Sequence, residues 1–321
     1  MTKALIAILC LPAAAFCSAA GPFALEGEPF RPRPGVEVVW GATNALPSVL
    51  RVYRVVPQDF SAKVLSNLMA IGRFSKDDLS RPARLPLPDK NLIRFQDRKG
   101  EDWTRYLNIA PTLGWVEYYS PLTPKDPVEA LPTKAEVEAL AQEFLSGVEI
   151  PRSQLCDKRS GYDATRGKID QHGHKSAPEV FRRGISFARR IDGIQARGYC
   201  LMINFGNQGR ITYFSLSWRN LKPQELHQVA KPVEMVASIR AGHAVLPPQA
   251  VDLAGLDNAD RLRIVRLIPQ YYEKPGHEPL EWVYPYADLE VVAEAANTNM
   301  TTFYLRCPIL GPIISRVENP K

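Results

Sequence analysis

Two short groups of residues resemble metal-binding patterns. His277, Glu278 and Glu281 repeat the beginning of the histidine–glutamate pattern found on zinc-binding helices. That pattern needs a second histidine four residues after the first, on the same face of the helix. Here Glu281 occupies that position, and Pro279 removes a backbone donor from any helix. We therefore predict a loop between two strands at this place, and no metal site.

The second group is a weak candidate for a metal site. His172 and His174 are close in sequence to Asp163 and Asp170, and imidazole and carboxylate groups are zinc ligands. One polar segment gives no fixed tetrahedral geometry. A solvated loop is therefore the favoured interpretation, and a metal site is the alternative.

Arginines surround one predicted hairpin and are candidates for contacting a partner. On a strand, Arg189 shares the face of Ile185 and Phe187. A guanidinium there must find a carboxylate or reach the rim, so Arg189 forms either a structural ion pair, which burial favours, or a ligand contact. Trp218 and Arg219 form either an aromatic and cationic contact surface or a half-buried tryptophan beside a solvated arginine. The candidate partner-binding residues are Arg189, Arg190, Trp218 and Arg219.

Familiar catalytic motifs are absent from the sequence. It has no G-x-S-x-G elbow, no complete H-E-x-x-H pattern, no P-loop, no dinucleotide fingerprint and no EF-hand loop. Paired carboxylates must face one another across a cleft, which nearness in sequence does not establish. We predict that the chain is not an enzyme and needs no cofactor. The alternative is a hydrolase with an unrecognised active site.

Three amphipathic helices are predicted to cover the strands. The first spans 59–71, with Asp59 as its N-cap. The second begins at a capping box made by Thr133 and Glu136. The third begins at Pro232, because proline fits the first turn of a helix. Its apolar stripe is predicted to be Val233, Val236 and Ala237.

Strand patterns follow each helix, and the clearest lies between Phe181 and Trp218. Asp192–Gly193 and Asn207–Gly209 divide this region into hairpins, since glycine tolerates positive φ. A polar stretch over 157–177 precedes it and has no strand pattern. The other predicted strands are 36–40, 49–56, 91–96, 105–109, 115–119, 262–268, 281–286 and 302–307. The predicted class is α+β, with tandem units that each place a helix on an antiparallel sheet.

The first twenty residues have the pattern of a secretory signal peptide. Lys3 precedes an apolar region over 4–15, and small residues at 18–20 allow cleavage after Ala20. We therefore expect a secreted or periplasmic protein, with no transmembrane segment after cleavage. The predicted domains are the signal peptide 1–20, an N-terminal unit 21–125, a middle unit 126–225 and a C-terminal unit 226–321.

The composition is that of a globular chain with a substantial core. Of its 321 residues, 45% are hydrophobic and 23% are charged, which excludes collagen and disordered classes. The formal net charge of +6 suits an acidic envelope surface, although dispersed lysines and arginines also serve solubility alone. Three cysteines follow the signal peptide and allow at most one disulfide, whose formation stays open: Cys156, Cys200 and Cys307.

The region Gly198–Phe214 resembles the PepSY pattern, in which a strand, a glycine-bearing turn and a second strand follow a capped helix. The wider stretch 187–221 resembles the extracytoplasmic PepSY-like and YycH/YycI-like proteins of bacteria, and the resemblance extends over 133–307. It implies a cystatin-like helix packed on an antiparallel sheet, outside the cytoplasm and without catalysis. Such modules restrain peptidases or regulate partners in the envelope.

These observations together predict an exported, non-enzymatic binding or regulatory protein. A protein or peptide partner is expected to dock on a sheet surface or to add a strand at an exposed edge. Besides the hydrolase, the alternative is a structural envelope protein that binds an anionic polymer. Nucleic acid is not expected as a partner, because no basic stripe alternates with aromatic residues.

Overall fold

The computed structural model describes residues 25–80, 91–99, 102–120, 128–166, 179–248, 256, 258–274, 276–295 and 301–316. Within these ranges it contains three α-helices and two nine-stranded sheets. The predicted α+β class is confirmed. His172, His174 and the predicted signal peptide 1–20 lie outside the described residues.

One sheet is built from the middle of the chain and is called the central sheet here. Its order is β10-β9-β11-β12-β7-β6-β5-β4, with β8 also paired to β9, and every described pair is antiparallel. The strands are β4 Leu79–Ser80, β5 Ile93–Lys99, β6 Asp102–Ala110, β7 Trp115–Tyr119, β8 Leu155–Arg166, β9 Glu179–Ile191, β10 Ile194–Gln195, β11 Leu201–Phe205 and β12 Ile211–Ser217.

The other sheet combines both ends of the described chain and is called the terminal sheet. Its order is β1-β14-β17-β16-β3-β13-β18, and β15 joins β16 to β2. The β2–β15 pair is parallel, and the other pairs described are antiparallel. The strands are β1 Glu28–Phe30, β2 Glu37–Trp40, β3 Val49–Val56, β13 Asn220–Val229, β14 Ala244–Leu246, β15 Arg261–Tyr272, β16 Trp282–Glu294, β17 Thr301–Pro308 and β18 Leu310–Arg316.

The strand pairing does not follow the three predicted units. The range predicted as one N-terminal unit, 21–125, contributes β3 to the terminal sheet but β5–β7 to the central sheet. The boundary predicted between residues 225 and 226 falls inside β13. The difference arises because strands pair with partners that are remote in sequence, as β3 does with β13.

The helices α1 (Ala62–Gly72), α2 (Lys134–Gly147) and α3 (Pro232–Ala241) begin at recognisable caps. The capping box of α2 is confirmed: the Glu136 N–H donates to Thr133 Oγ1 at 3.3 Å, and the Thr133 N–H donates to Glu136 Oε2 at 2.7 Å. Pro232 is confirmed in the first turn of α3. The N-cap predicted at Asp59 is wrong, because Ser61 Oγ accepts the Val64 N–H at 3.2 Å.

The helices α1 and α2 pack on one face of the central sheet and form its core. That core contains the predicted apolar faces of both helices, including Leu68, Val137 and Phe144, against Phe214 and Ile203 of the sheet. The helix α3 packs on the terminal sheet through Met235 and Ile239, both fully buried. The predicted stripe of α3 is therefore wrong in part: Val236 packs against that core, whereas Val233 and Ala237 are exposed.

The strand β8 has no counterpart among the predicted strands. It occupies 155–166, where the polar stretch 157–177 gave no strand pattern. Its pairing with β9 is interrupted by three register shifts, and its residues from 157 to 160 are exposed. A bulged and charged edge strand lacks the apolar alternation by which strands are recognised.

The three cysteines after residue 20 are free thiols in the structure. Cys200 lies in the core of the central sheet, and Cys307 lies in the core of the terminal sheet. Cys156 is partly exposed. Among the residues described, no helix has both the length and the apolar composition to cross a membrane.

Candidate functional site

The two sheets meet at the segment Trp218–Arg219, which follows β12 and precedes β13. Arg219 is 1% exposed, so the predicted solvated arginine is wrong. Its Nη1 donates to the Lys274 carbonyl at 2.8 Å, and its Nη2 donates to the Glu278 carbonyl at 2.9 Å. The guanidinium thus holds the loop between β15 and β16 against the end of the central sheet.

Arg189 lies beside Arg219 at the same junction. Its Nη1 donates to the Arg219 carbonyl at 2.8 Å, and its guanidinium carbon lies 4.1 Å from the centroid of the Trp218 ring. The side chain also forms an ion pair with Glu273, at 3.8 Å between Nη1 and Oε1. Of the two roles predicted for Arg189, the structure shows the structural ion pair.

The charges at this junction are almost completely buried. The side chains of Arg189 and Glu273 are 7% and 8% exposed. Burial lowers the pKa of Arg189 and of Arg219, while Glu273 opposes the shift in both. Removing one member of a buried ion pair typically costs about 3–5 kcal/mol, because the remaining charge stays desolvated. Arg189 and Arg219 therefore stabilise the junction and are not accessible to a partner.

The fourth predicted contact residue, Arg190, has a different environment. It is exposed, on the face of β9 opposite to Arg189. It lies near Cys156. Burial raises the pKa of the Cys156 thiol, and the Arg190 charge offsets part of this rise. The structure thus separates Arg190 from the other three predicted residues.

The group around His277 forms a loop, as the proline indicated. The Glu278 carbonyl accepts from Arg219, and the Glu278 side chain pairs with Lys274 at 3.8 Å. The His277 ring lies edge-on to Trp115, with 6.1 Å between centroids. No group of three histidine, cysteine, aspartate or glutamate residues that could hold a metal occurs among the described residues.

A cavity of about 390 Å³ opens next to the buried junction. One wall comes from the central sheet, with Met202 of β11 and Tyr213 of β12. Another part of the lining is Tyr272–Lys274, at and just after the end of β15, and Glu26 belongs to the segment that leads into β1. The loop 197–200 before β11 also lines the cavity. Pockets of about 300–1,000 Å³ are typical of small-ligand sites.

Polar side chains cover the face of the central sheet opposite to the helices. Glu117 on β7 pairs across the sheet with Asn108 and Ser215. The Tyr106 hydroxyl donates to Glu117 Oε2 at 3.2 Å, and the Tyr106 ring stacks on Tyr119 with 5.6 Å between centroids. Burial raises the pKa of Glu117, and hydrogen bonds from Tyr106 and Asn108 limit the rise.

Several residues of this region were missed by the sequence analysis. The alternation of Tyr213, Ser215 and Ser217 with buried Phe214 and Leu216 on β12 is a signal that could have found the polar face. Glu273 and Glu26 had no such signal, because their roles depend on contacts between segments remote in sequence.

No family model matches the chain, and no curated protein matches it. An uncharacterized protein from Eubacterium rectale is similar in structure, with 11% identity, coverage of 84% of this chain and 86% of that chain, and a TM-score of 0.44. The C-terminal domain of YpeB from Bacillus megaterium is similar with 9% identity, coverage of 82% and 100%, and a TM-score of 0.33. The YpeB domain, from a PepSY-containing protein, is a weak structural neighbour. Both scores are low, so we take no function from either protein.

Replacing Gly114 by alanine should destabilise the protein at the junction. Gly114 has φ of +60°, and an added Cβ would lie 2.6 Å from the Trp218 carbonyl oxygen and 2.9 Å from the Arg219 Cα. Gly193→Ala is the matched control, since Gly193 also has positive φ, +80°, but an added Cβ there would meet no heavy atom within 4 Å. Both variants lose about 1–2 kcal/mol to the left-handed backbone. We expect Gly114→Ala to lose a further 1–3 kcal/mol, roughly, from overpacking, measured by urea unfolding. Equal losses would contradict this description of the junction.

Replacing Glu117 by glutamine should change the pH dependence of stability. Because its pKa is raised in the folded protein, the stability that Glu117 contributes is present below its unfolded pKa and is lost as pH rises through the folded pKa. The free energy of unfolding of Glu117→Gln, relative to the wild type, should therefore increase as pH rises from about 4 to about 7.

The control for this prediction is Glu136→Gln. Hydrogen bonds from Thr133 lower the pKa of Glu136, so its contribution is present above the unfolded pKa and is lost as pH falls through the folded pKa. The free energy of unfolding of Glu136→Gln, relative to the wild type, should therefore decrease as pH rises, which is the opposite trend. Parallel profiles for the two variants would show that Glu117 is not desolvated.

Proposed function

We propose that the protein is an exported, non-catalytic binding protein whose partner adds an extended segment to the terminal sheet at β18. The observation that carries the proposal is the position of β18 at an unpaired edge of the terminal sheet, within the described residues. It ends the order of strands in the terminal sheet, and no further strand pairs with it among the described residues. An edge strand presents backbone N–H and C=O groups that an added strand can pair with.

The side chains of β18 support this choice of edge. Ile313 and Ile314 are 42% and 50% exposed. Successive residues of a strand point to opposite faces, so apolar side chains extend from both faces of this edge. An extended partner with apolar residues at alternate positions would cover the apolar side chain on one face of the sheet while its backbone pairs with β18.

One edge strand of the central sheet, β8, is built differently. It carries Asp157, Lys158 and Arg159 at exposed positions, whereas β18 exposes Ile313 and Ile314; both strands pair with register shifts. Charged side chains are a device that discourages the addition of a strand. The contrast between the two edges favours β18 as the docking edge for a protein or peptide.

Site-specific photocrosslinking tests the proposal. A photoreactive benzoylphenylalanine in place of Ile314 should capture the same few protein species in repeated experiments on cells that naturally make the protein. Val233 is the control site, because it is apolar and 70% exposed but belongs to α3 and not to the edge strand. Amide hydrogen exchange on the full chain with the captured partner should then show slower exchange in β18, because new backbone hydrogen bonds protect amides.

Four results would count against the proposal. The first is the same set of species at both positions, and the second is no species from Ile314. The third is capture only of a second copy of this chain, which would make β18 a dimer interface. Unchanged exchange in β18 with a captured partner would show that the partner touches side chains without adding a strand.

A further inference from the structure

The cavity at the sheet junction has charged groups of both signs in its wall. The carboxylates are Glu26 and Glu273, and the cations are Arg197 and Lys274. A wall with two acids and two bases suits a ligand that carries both an ammonium and a carboxylate group. Lys274 also pairs with Glu278, and Glu273 with Arg189, both at 3.8 Å, so each of these two groups is within ion-pair range but beyond hydrogen-bond distance of its protein partner.

Buried contacts hold the backbone of the charged wall residues in place. The Lys274 carbonyl accepts from Arg219 at 2.8 Å, and the Glu26 carbonyl accepts from Arg306 at 2.9 Å. The Arg197 N–H donates to the Tyr271 carbonyl at 2.9 Å. Arg219 and Arg306 are themselves 1% and 2% exposed. These bonds fix the backbone positions from which the charged side chains extend toward the cavity.

Glu273 retains hydrogen-bonding capacity in this wall. Its side chain is 8% exposed, and its only ion pair within the described residues is the 3.8 Å contact with Arg189. Its Oε1 has no hydrogen-bond donor among those residues. Oε1 is the oxygen that faces Arg189 and is buried, so a bound ammonium group would act on the carboxylate through its charge and not as a donor to Oε1.

The remaining wall is aromatic and apolar. Tyr199, Tyr213 and Tyr272 line the cavity together with Met202. Aromatic faces attract ammonium groups and also pack against the hydrocarbon part of a ligand. The volume of about 390 Å³ accommodates a molecule of the size of an amino acid or a dipeptide.

We propose that this cavity binds a small zwitterion, a free amino acid or a dipeptide, with its ammonium group at Glu26 and Glu273 and its carboxylate at Arg197 and Lys274. This site lies apart from β18, and it stands whether or not a partner adds a strand there. It gives the protein a second ligand class, in addition to a macromolecular partner.

Ligand screening on the full chain tests the proposal. The probes are the twenty amino acids and a set of alanyl dipeptides, each at about 10 mM, where a ligand with a Kd near 1 mM still raises the Tm. The best probe is then compared by calorimetry with its N-acetyl and C-amide forms. We expect the free form to bind at least about tenfold more tightly than either capped form. No rise in Tm with any probe, or equal binding of the capped forms, would overturn the proposal.

Variants of the wall assign the two ends of the ligand. Glu26→Gln should weaken the free ligand about tenfold and leave the N-acetyl form unchanged. Lys274→Met should weaken the free and N-acetyl forms and leave the C-amide form unchanged. The matched control is Lys222→Met, an exposed lysine on β13. Glu26 is exposed, so its replacement does not threaten the fold. A uniform loss for all three forms in both wall variants would show a structural effect and contradict the assignment.

Discussion

Two buried guanidiniums hold the two sheets together: Arg189 pairs with Glu273, and Arg219 donates to the Lys274 and Glu278 carbonyls. Arg189 belongs to the central sheet, Glu273 follows the last residue of β15 in the terminal sheet, and Arg219 lies on the segment between them. Buried charges are costly unless they are paired, so moving the sheet ends apart would leave Arg189 and Glu273 desolvated without a counterpart. The cavity depends on it, because Glu273 and Lys274 form part of the wall.

Local features of the fold could be predicted from the sequence. The capping box at Thr133, the proline at the start of α3 and the turn at Asp192–Gly193 each depend on residues a few positions apart. Strands with regular alternation were predicted for the same reason, including β3 over its full length. The helix beginning near residue 59 was placed with the wrong cap, because Asp59 and Ser61 both have acceptor side chains and only geometry selects Ser61.

Long-range features could not be predicted in this way. The terminal sheet joins β3 to β13, and nothing in either strand identifies the other. Arg219 has the sequence environment of a solvated residue, yet its donors reach carbonyl groups at 274 and 278. Glu273 gains its role from the same approach. Arg189 and Arg219 were predicted as candidate partner contacts, whereas in the folded chain they are buried and join segments remote in sequence.

A double-mutant cycle between Arg189 and Glu273 tests this account most directly. The variants are Arg189→Met, Glu273→Met and the two combined, with the free energy of unfolding measured by urea titration. If the buried pair holds the sheets together, each single variant loses about 3–5 kcal/mol, and the combined variant loses much less than the sum. Single losses below about 1 kcal/mol, or strict additivity, would contradict the claim that the junction depends on this pair.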